Sequence, residues 1–157
     1  MKIEDAIKQK KFAGPYHKMT LNILYTAGQI LSRNTRILRP FNISQQQFNI
    51  LRILRGMHPE PATVKLLTER MLDQMSNASR LVEKLKQKGL VERTTCENDR
   101  RRVDISITDA GLKLLAEASD KLESDLAVIN SNLTGEEALH LSDLLDKART
   151  NIEEEKE

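Results

Sequence analysis

Between Leu90 and Ile107 the hydrophobic pattern of this chain switches from a helical period to a period of two, and after Thr108 it switches back. Val91, Arg93 and Thr95 alternate with Leu90, Glu92, Thr94 and Cys96; further on, Val103, Ile105 and Ile107 alternate with Asp104 and Ser106. Alternation puts successive side chains on opposite faces of a strand, so the two runs predict a β-hairpin. Its expected tip is Glu97-Asn98-Asp99-Arg100-Arg101-Arg102. No other strand signal occurs in the 157 residues, so the remainder of the fold has to be helical.

The helices are legible from their apolar spacing. Leu21, Leu24, Ala27, Ile30, Leu31, Ile37 and Leu38 predict one long amphipathic helix from Tyr16 to Arg39, ended by Pro40. Ser44-Gln45-Gln46-Gln47 reads as a capping box opening a second helix, with Phe48, Leu51, Ile53 and Leu54 inward and an end at Gly56. Thr63 is placed to cap Val64 to Met71. After a break near Asp73, Met75, Ala78, Leu81, Val82 and Leu85 predict a helix from Met75 to Lys88, with Gly89 as a left-handed stop. Beyond the hairpin, Leu112, Leu115, Ala118, Leu122, Leu126 and Ile129 mark another helix, and Thr134-Gly135-Glu136-Glu137 is a second capping box before the last one.

A short helix, a turn, a polar-faced helix and a two-stranded wing follow one another in the order of a winged helix–turn–helix. The expected fold is mainly α, a single domain over residues 1–157. Within it, a lobe over about 44–107 carries the winged helix, and outer helices over about 16–39 and 109–155 dimerise. Those outer helices have more apolar positions than a lone domain of this size uses, which points to an isologous interface between two copies.

Charge is distributed unevenly behind a net +2. Residues 1–61 hold ten Lys/Arg against three Asp/Glu, residues 62–102 ten against six, and residues 103–157 five against fourteen. A basic front and an acidic rear suit a molecule that presents one part to a polyanion. On the helix after Asp73, the face away from Leu81 and Val82 shows Ser76, Asn77, Ser79, Arg80, Lys84 and Gln87. Small polar side chains at a helix start allow close approach to base edges, Asn77 has the geometry to pair with adenine, and Arg80 and Lys84 suit guanine or phosphate. Any exposed helix is polar, so this face alone does not separate a base reader from a solvated surface. Arg100, Arg101 and Arg102 add weight, because three adjacent arginines repel one another and suit a narrow, negative minor groove. Asp99 is placed to orient one of them. Thr63, Lys65 and Lys86 complete the set as expected phosphate contacts.

Other chemistry is poorly supported. His17, His58 and His140 are scattered without metal-ligand spacing, and no phosphate-binding glycine loop or nucleophile elbow appears, so neither a metal, a cofactor nor an enzyme is expected. One cysteine, Cys96, fits a reducing cytoplasm, and a lone thiol is more often inert than redox-sensing. No apolar run reaches the length of a membrane span, and the first twenty residues lack a signal-peptide core, so a cytoplasmic location is expected.

The segment from Arg80 through Leu81-Val82-Glu83-Lys84-Leu85-Lys86-Gln87-Lys88-Gly89-Leu90-Val91-Glu92 to Arg93 resembles the recognition-helix tail and first wing strand of MarR-family regulators. Asp99-Arg100-Arg101, followed by Thr108 and Gly111, is similar to that family's wing signature, and Ser44 to Leu51 resembles its second helix. The resemblance covers nearly the whole chain. It implies a homodimeric regulator that binds a pseudo-palindromic operator in double-stranded DNA, often a repressor released by a small-molecule effector or by oxidation. Arg101 then matches the wing arginine that enters the minor groove and Asp99 its acidic partner, while Ser76, Asn77, Ser79 and Arg80 fall at the base-facing start of the recognition helix. Arg102 stands at a position the family leaves variable, and Met75-Ser76-Asn77-Ala78 does not translate into an operator sequence. By resemblance an effector would bind between the lobe and the dimerisation helices, where Tyr16, His17, Tyr25, Arg55 and Met57 are candidates and ordinary packing is the simpler reading of each. The rival from another class is a winged-helix module that binds a protein partner without reading DNA.

Overall fold

The computed structural model describes the backbone of residues 1–73, 75–96, 99–130 and 132–154; the side chains of residues 96, 99–102, 127–130 and 151–154 lie outside this description. The chain forms two compact units, Met1–Ala118 and Ser119–Glu157.

The first unit opens with a four-residue helix, α1 (Ile3–Ala6), too short to leave a period in the sequence. It is tied down by buried Ile3 and by Glu4, whose carboxylate receives the Lys18 ammonium at 2.5 Å. That hydrogen bond holds the Glu4 carboxyl below its usual range. Helix α2 (Pro15–Leu38) starts on Pro15, whose ring presets helical φ where no N–H is needed. It ends where expected, in a 3-10 turn (Arg39–Phe41) that contains Pro40. Asn42 then takes a left-handed conformation, φ 53°.

Helix α3 (Gln45–Met57) carries the predicted capping box: the Gln47 amide donates to Ser44 Oγ at 3.2 Å and the Ser44 amide to Gln47 Oε1 at 3.1 Å. Ile50, Leu51, Ile53 and Leu54 turn inward from it. Strand β1 (Ala62–Thr63) leads directly into α4 (Val64–Arg70), and Thr63 Oγ1 accepts the Leu66 amide at 3.2 Å as its cap. Helix α5 (Ala78–Gln87) packs against α3, α4 and the first hairpin strand, β2 (Val91–Cys96). The second hairpin strand, β3 (Asp99–Ile107), is central in the sheet, whose order is β1-β3-β2 with both pairs antiparallel.

Two expectations change here. The wing has two strands, as the alternation predicts, but β1 adds a third to its sheet by pairing Ala62 with Ile105 and Thr63 with Asp104. Two residues after a proline have no period to read. The arginines expected at the hairpin tip instead lie within β3. Its register shifts between Thr95 and Cys96, whose partners are Val103 and Asp99, so the backbone of residues 100–102 stands as an irregularity between two consecutive pairs. Such a bulge bends a strand and re-aims its side chains.

Leu38, Leu51, Leu54, Leu67, Leu85 and Leu115 are fully buried, which places the core of this unit where α3, α4, α5 and the sheet meet. The second unit contains the C-terminal part of α6 (Asp109–Asn130) and α7 (Gly135–Glu154). The expected box forms at the start of α7: the Thr134 amide donates to Glu137 Oε2 at 2.8 Å and the Glu137 amide to Thr134 Oγ1 at 3.2 Å. The Thr134 amide foremost, with the Thr134 hydroxyl donating to the same oxygen at 3.1 Å, holds the Glu137 carboxyl below its ordinary range. Among the described residues, no helix is long and apolar enough to cross a membrane, and no cluster of His, Cys, Asp and Glu is fit to hold a metal ion.

Candidate nucleic-acid interface

Helix α5 buries Ala78, Val82 and Leu85, and its high charge on the other side makes it strongly two-faced. At 100° per residue, Arg80, Lys84 and Gln87 fall opposite that buried stripe, and all three are exposed. Ser79 and Lys86 are exposed on one flank. The other charged residue of the helix, Glu83, is half-buried and faces Arg93 of β2 at 3.9 Å, linking the helix to the wing.

The start of α5 differs from the sequence reading. Met75 continues the apolar phase of the helix but is 95% exposed, and the helix begins three residues later, at Ala78. Asp73, Met75, Ser76 and Asn77 are spent on the turn instead. The Asp73 carboxylate accepts the Ser76 hydroxyl at 2.6 Å and the Met75 amide at 3.2 Å. The Ser76 bond foremost, with the Met75 amide and the Gln46 side chain, holds the Asp73 carboxyl below its usual range. Asn77 is the N-cap, its Oδ1 accepting the Arg80 amide at 3.0 Å. Ser76 and Asn77 therefore lie in the turn ahead of the helix, while Ser79 and Arg80 lie on its first turn. From α3, Asn49 Oδ1 accepts the Leu72 amide at 3.0 Å, so two α3 side chains one helical turn apart, Gln46 and Asn49, anchor this turn.

At the far end of α5, Gly89 has φ +69° as expected of its stop. Lys88 turns back to α3, donating to Gln47 Oε1 at 3.3 Å and to the Asn42 carbonyl. Gln47 is the one buried polar side chain among the described core residues, 4% exposed, and this pairing together with the capping box satisfies its side-chain oxygen.

Residues 41–102, from the 3-10 turn through Arg102, match the model of the MarR family. Over that segment the chain is similar to the MarR family of transcriptional regulators. Its fold is similar to that of apo MarR from E. coli, 26% identical over 81% of this chain and 94% of that one, with a TM-score of 0.64. It is also similar to the organohalide-sensing regulator RdhR-CbdbA1625 in its 2,4-dichlorophenol-bound form, 23% identical over 90% and 88% of the two chains, TM-score 0.78. S. aureus MepR in DNA-binding conformation matches at 20% identity over 85% and 98%, TM-score 0.71.

In this chain the other expected site residues are distributed as follows. Thr63 caps α4 and belongs to β1, and Lys65, exposed on α4, lies 3.9 Å from Glu69. Asp99, Arg100, Arg101 and Arg102 have described backbone on β3, but their side chains, like that of Cys96, lie outside the described residues. Of the effector candidates, Tyr16, His17 and Arg55 are exposed and Tyr25 and Met57 half-buried. His17 sits edge-on to Phe12 with centroids 6.0 Å apart, and its Nδ1 accepts the Ala13 amide. The sequence reading missed Gln46, Asn49 and Lys88, which hold the two ends of α5. Their polarity at α3 and at the helix end is visible in the sequence, but their partners are distant along the chain.

Proposed function

We propose that this chain is a MarR-family regulator that binds double-stranded DNA as a homodimer, reading a pseudo-palindromic operator and acting as a repressor that a small molecule releases. The observation that carries the reading is the exposed Ser79, Arg80, Lys84, Lys86 and Gln87 surface of α5, set beside the β2–β3 wing by the Glu83–Arg93 pair. Arg80 and Ser79 are assigned to base edges. Thr63, Lys65, Lys84 and Lys86 are assigned to phosphates, and Arg100, Arg101 and Arg102 to the minor groove with Asp99 orienting them. Ser76 and Asn77 contribute by fixing the helix start, with the Asn77 amide NH2 still able to donate to a phosphate.

Dimerisation is supported by apolar side chains left in water. In the first unit α2 exposes Leu24 (63%) and Leu31, seven residues apart on one face. In the second, α7 exposes Leu139 (70%), Leu141 and Leu144. A second copy covering such faces gives the two-fold symmetry that a palindromic site requires. The ligand-bound form of RdhR-CbdbA1625 and the DNA-binding conformation of MepR support effector release and DNA binding respectively.

The test is selection of bound fragments from a pool of short random duplexes at near-physiological salt. A two-fold symmetric motif with half-sites about one helical turn apart is the expected result. The recovered motif then serves as the probe in an effector screen that begins with small phenols. Retention without a motif overturns sequence-specific reading, and no retention favours the protein-partner module.

A further inference from the structure

The turn into α5 exposes two large apolar side chains, Leu72 at 87% and Met75 at 95%. Apart from the terminal Met1, no large apolar side chain among the described residues is more exposed. Both sit on backbone that is held in place: the Leu72 amide is bound by Asn49 and the Met75 amide by Asp73. The polar side chains of the same turn have internal partners, Ser76 on Asp73 and Asn77 on the Arg80 amide. A fixed turn at the reading end of α5 thus presents apolar groups outward and engages its polar ones inward.

In the major groove the apolar group on the base edges is the C5-methyl of thymine, and the side chains that recognise it are themselves apolar. Methionine, unbranched and polarizable, adapts to such a contact. We infer that Met75, seconded by Leu72, is a specificity-determining residue that reads thymine methyl groups, in place of an adenine contact by Asn77. The inference rests on the proposed duplex binding and adds to it the class of base read by the turn.

The test uses the full chain and the duplex recovered in the selection above, with each thymine replaced singly by deoxyuridine, which removes only the methyl. Binding is followed by fluorescence anisotropy. The unaltered protein is expected to lose about fourfold in affinity at one or more thymines of each half-site, the value of one buried methyl-sized group. Met75→Ala, and Met75→Gln with its length kept, are expected to bind the thymine duplex more weakly and to show no further loss on replacement at that position. Leu72→Ala is expected to blunt the response at the same or an adjacent thymine. All three variants alter exposed positions, and circular dichroism with the melting temperature checks that each one folds. The inference is overturned if the unaltered protein ignores every replacement, or if both Met75 variants keep its full response; in either case duplex binding still stands. If the unaltered protein retains no duplex in the selection, both the function and this inference fall.

Discussion

The Thr108 hydroxyl donates to the carbonyl of Gly89 at 2.7 Å and accepts the Gly111 amide at 3.0 Å. One side chain thereby closes three elements on one another: the stop of α5, the end of β3 and the first turn of α6. The Thr108 amide adds a bond to the Leu90 carbonyl at 3.2 Å, so the base of the wing is laced from both backbone and side chain.

Replacing Thr108 with Val keeps the shape and removes both side-chain bonds. The expected loss is about 1–2 kcal/mol, the cost of a helix cap together with an unpaired polar group. Urea unfolding should show a lower midpoint at an unchanged slope.

Two glycines at this junction have opposite requirements. A Cβ on Gly111 would stand 2.2 Å from the Leu90 carbonyl oxygen and 2.8 Å from Ile107 Cγ1, so the position demands space. Gly89 has open surroundings and demands only its positive φ. Gly89→Ala should cost about 1–2 kcal/mol. Gly111→Ala should cost about 3 kcal/mol, because packed backbone must move. The same unfolding experiment ranks them, and the reverse order would contradict the geometry.

Arg80→Ala is expected to weaken operator binding by about 1–3 kcal/mol and to relax the preference at one base pair. Arg101→Ala is expected to flatten the salt dependence, by about 0.9 in the log–log slope for each phosphate the side chain would otherwise neutralise. Anisotropy titrations across a salt series separate the two effects.

Asp73 makes the turn acid-sensitive. Its carboxyl is held low in the folded chain by Ser76 and then by Met75 and Gln46, so the unfolded chain takes up the proton more readily. Its contribution is complete above the ordinary carboxylate range and disappears as pH falls through its lowered folded value. Asp73→Asn should flatten the acid limb of the stability profile, while a limb identical to that of the parent would count against this role.

If an effector releases the DNA, the separation of the two α5 helices in the dimer should change, since a stiff duplex tolerates little mismatch between half-sites. Spin labels at Gln87, in a chain with Cys96→Ser, report that distance by pulsed resonance. An unchanged distribution in the presence of an effector that abolishes binding would exclude this route.

Local chemistry is the legible part of the fold. Ser44 with Gln47, Thr63, Thr134 with Glu137, and Gly89 each announce a helix end through side chains three or four residues away, and the alternation around Ile105 announces the hairpin. What depends on distant partners is not legible. Ala62 and Thr63 become a strand only because Ile105 and Asp104 lie beside them. Met75 misleads because its spacing from Ala78 continues the helical phase, while Asp73, Ser76 and Asn77 form a competing set of side-chain bonds that ends the turn at Ala78. The arginines read as a tip because strand register across a bulge leaves no trace in composition. Of the candidate interface, the exposed row from Ser79 to Gln87 is visible in the sequence; the anchoring by Gln46 and Asn49 is not.

Those two anchors bear on the thermodynamics of association. A loose segment that orders only on contact loses roughly 1–2 kcal/mol of backbone entropy per residue at that moment. Here the Leu72 amide and the Asp73 carboxylate are bound by α3 side chains of the chain itself, so the ordering cost of the reading turn falls on folding. A recognition end that arrives preorganised leaves more of its contact energy to appear as affinity, and more of any mismatch to appear as discrimination.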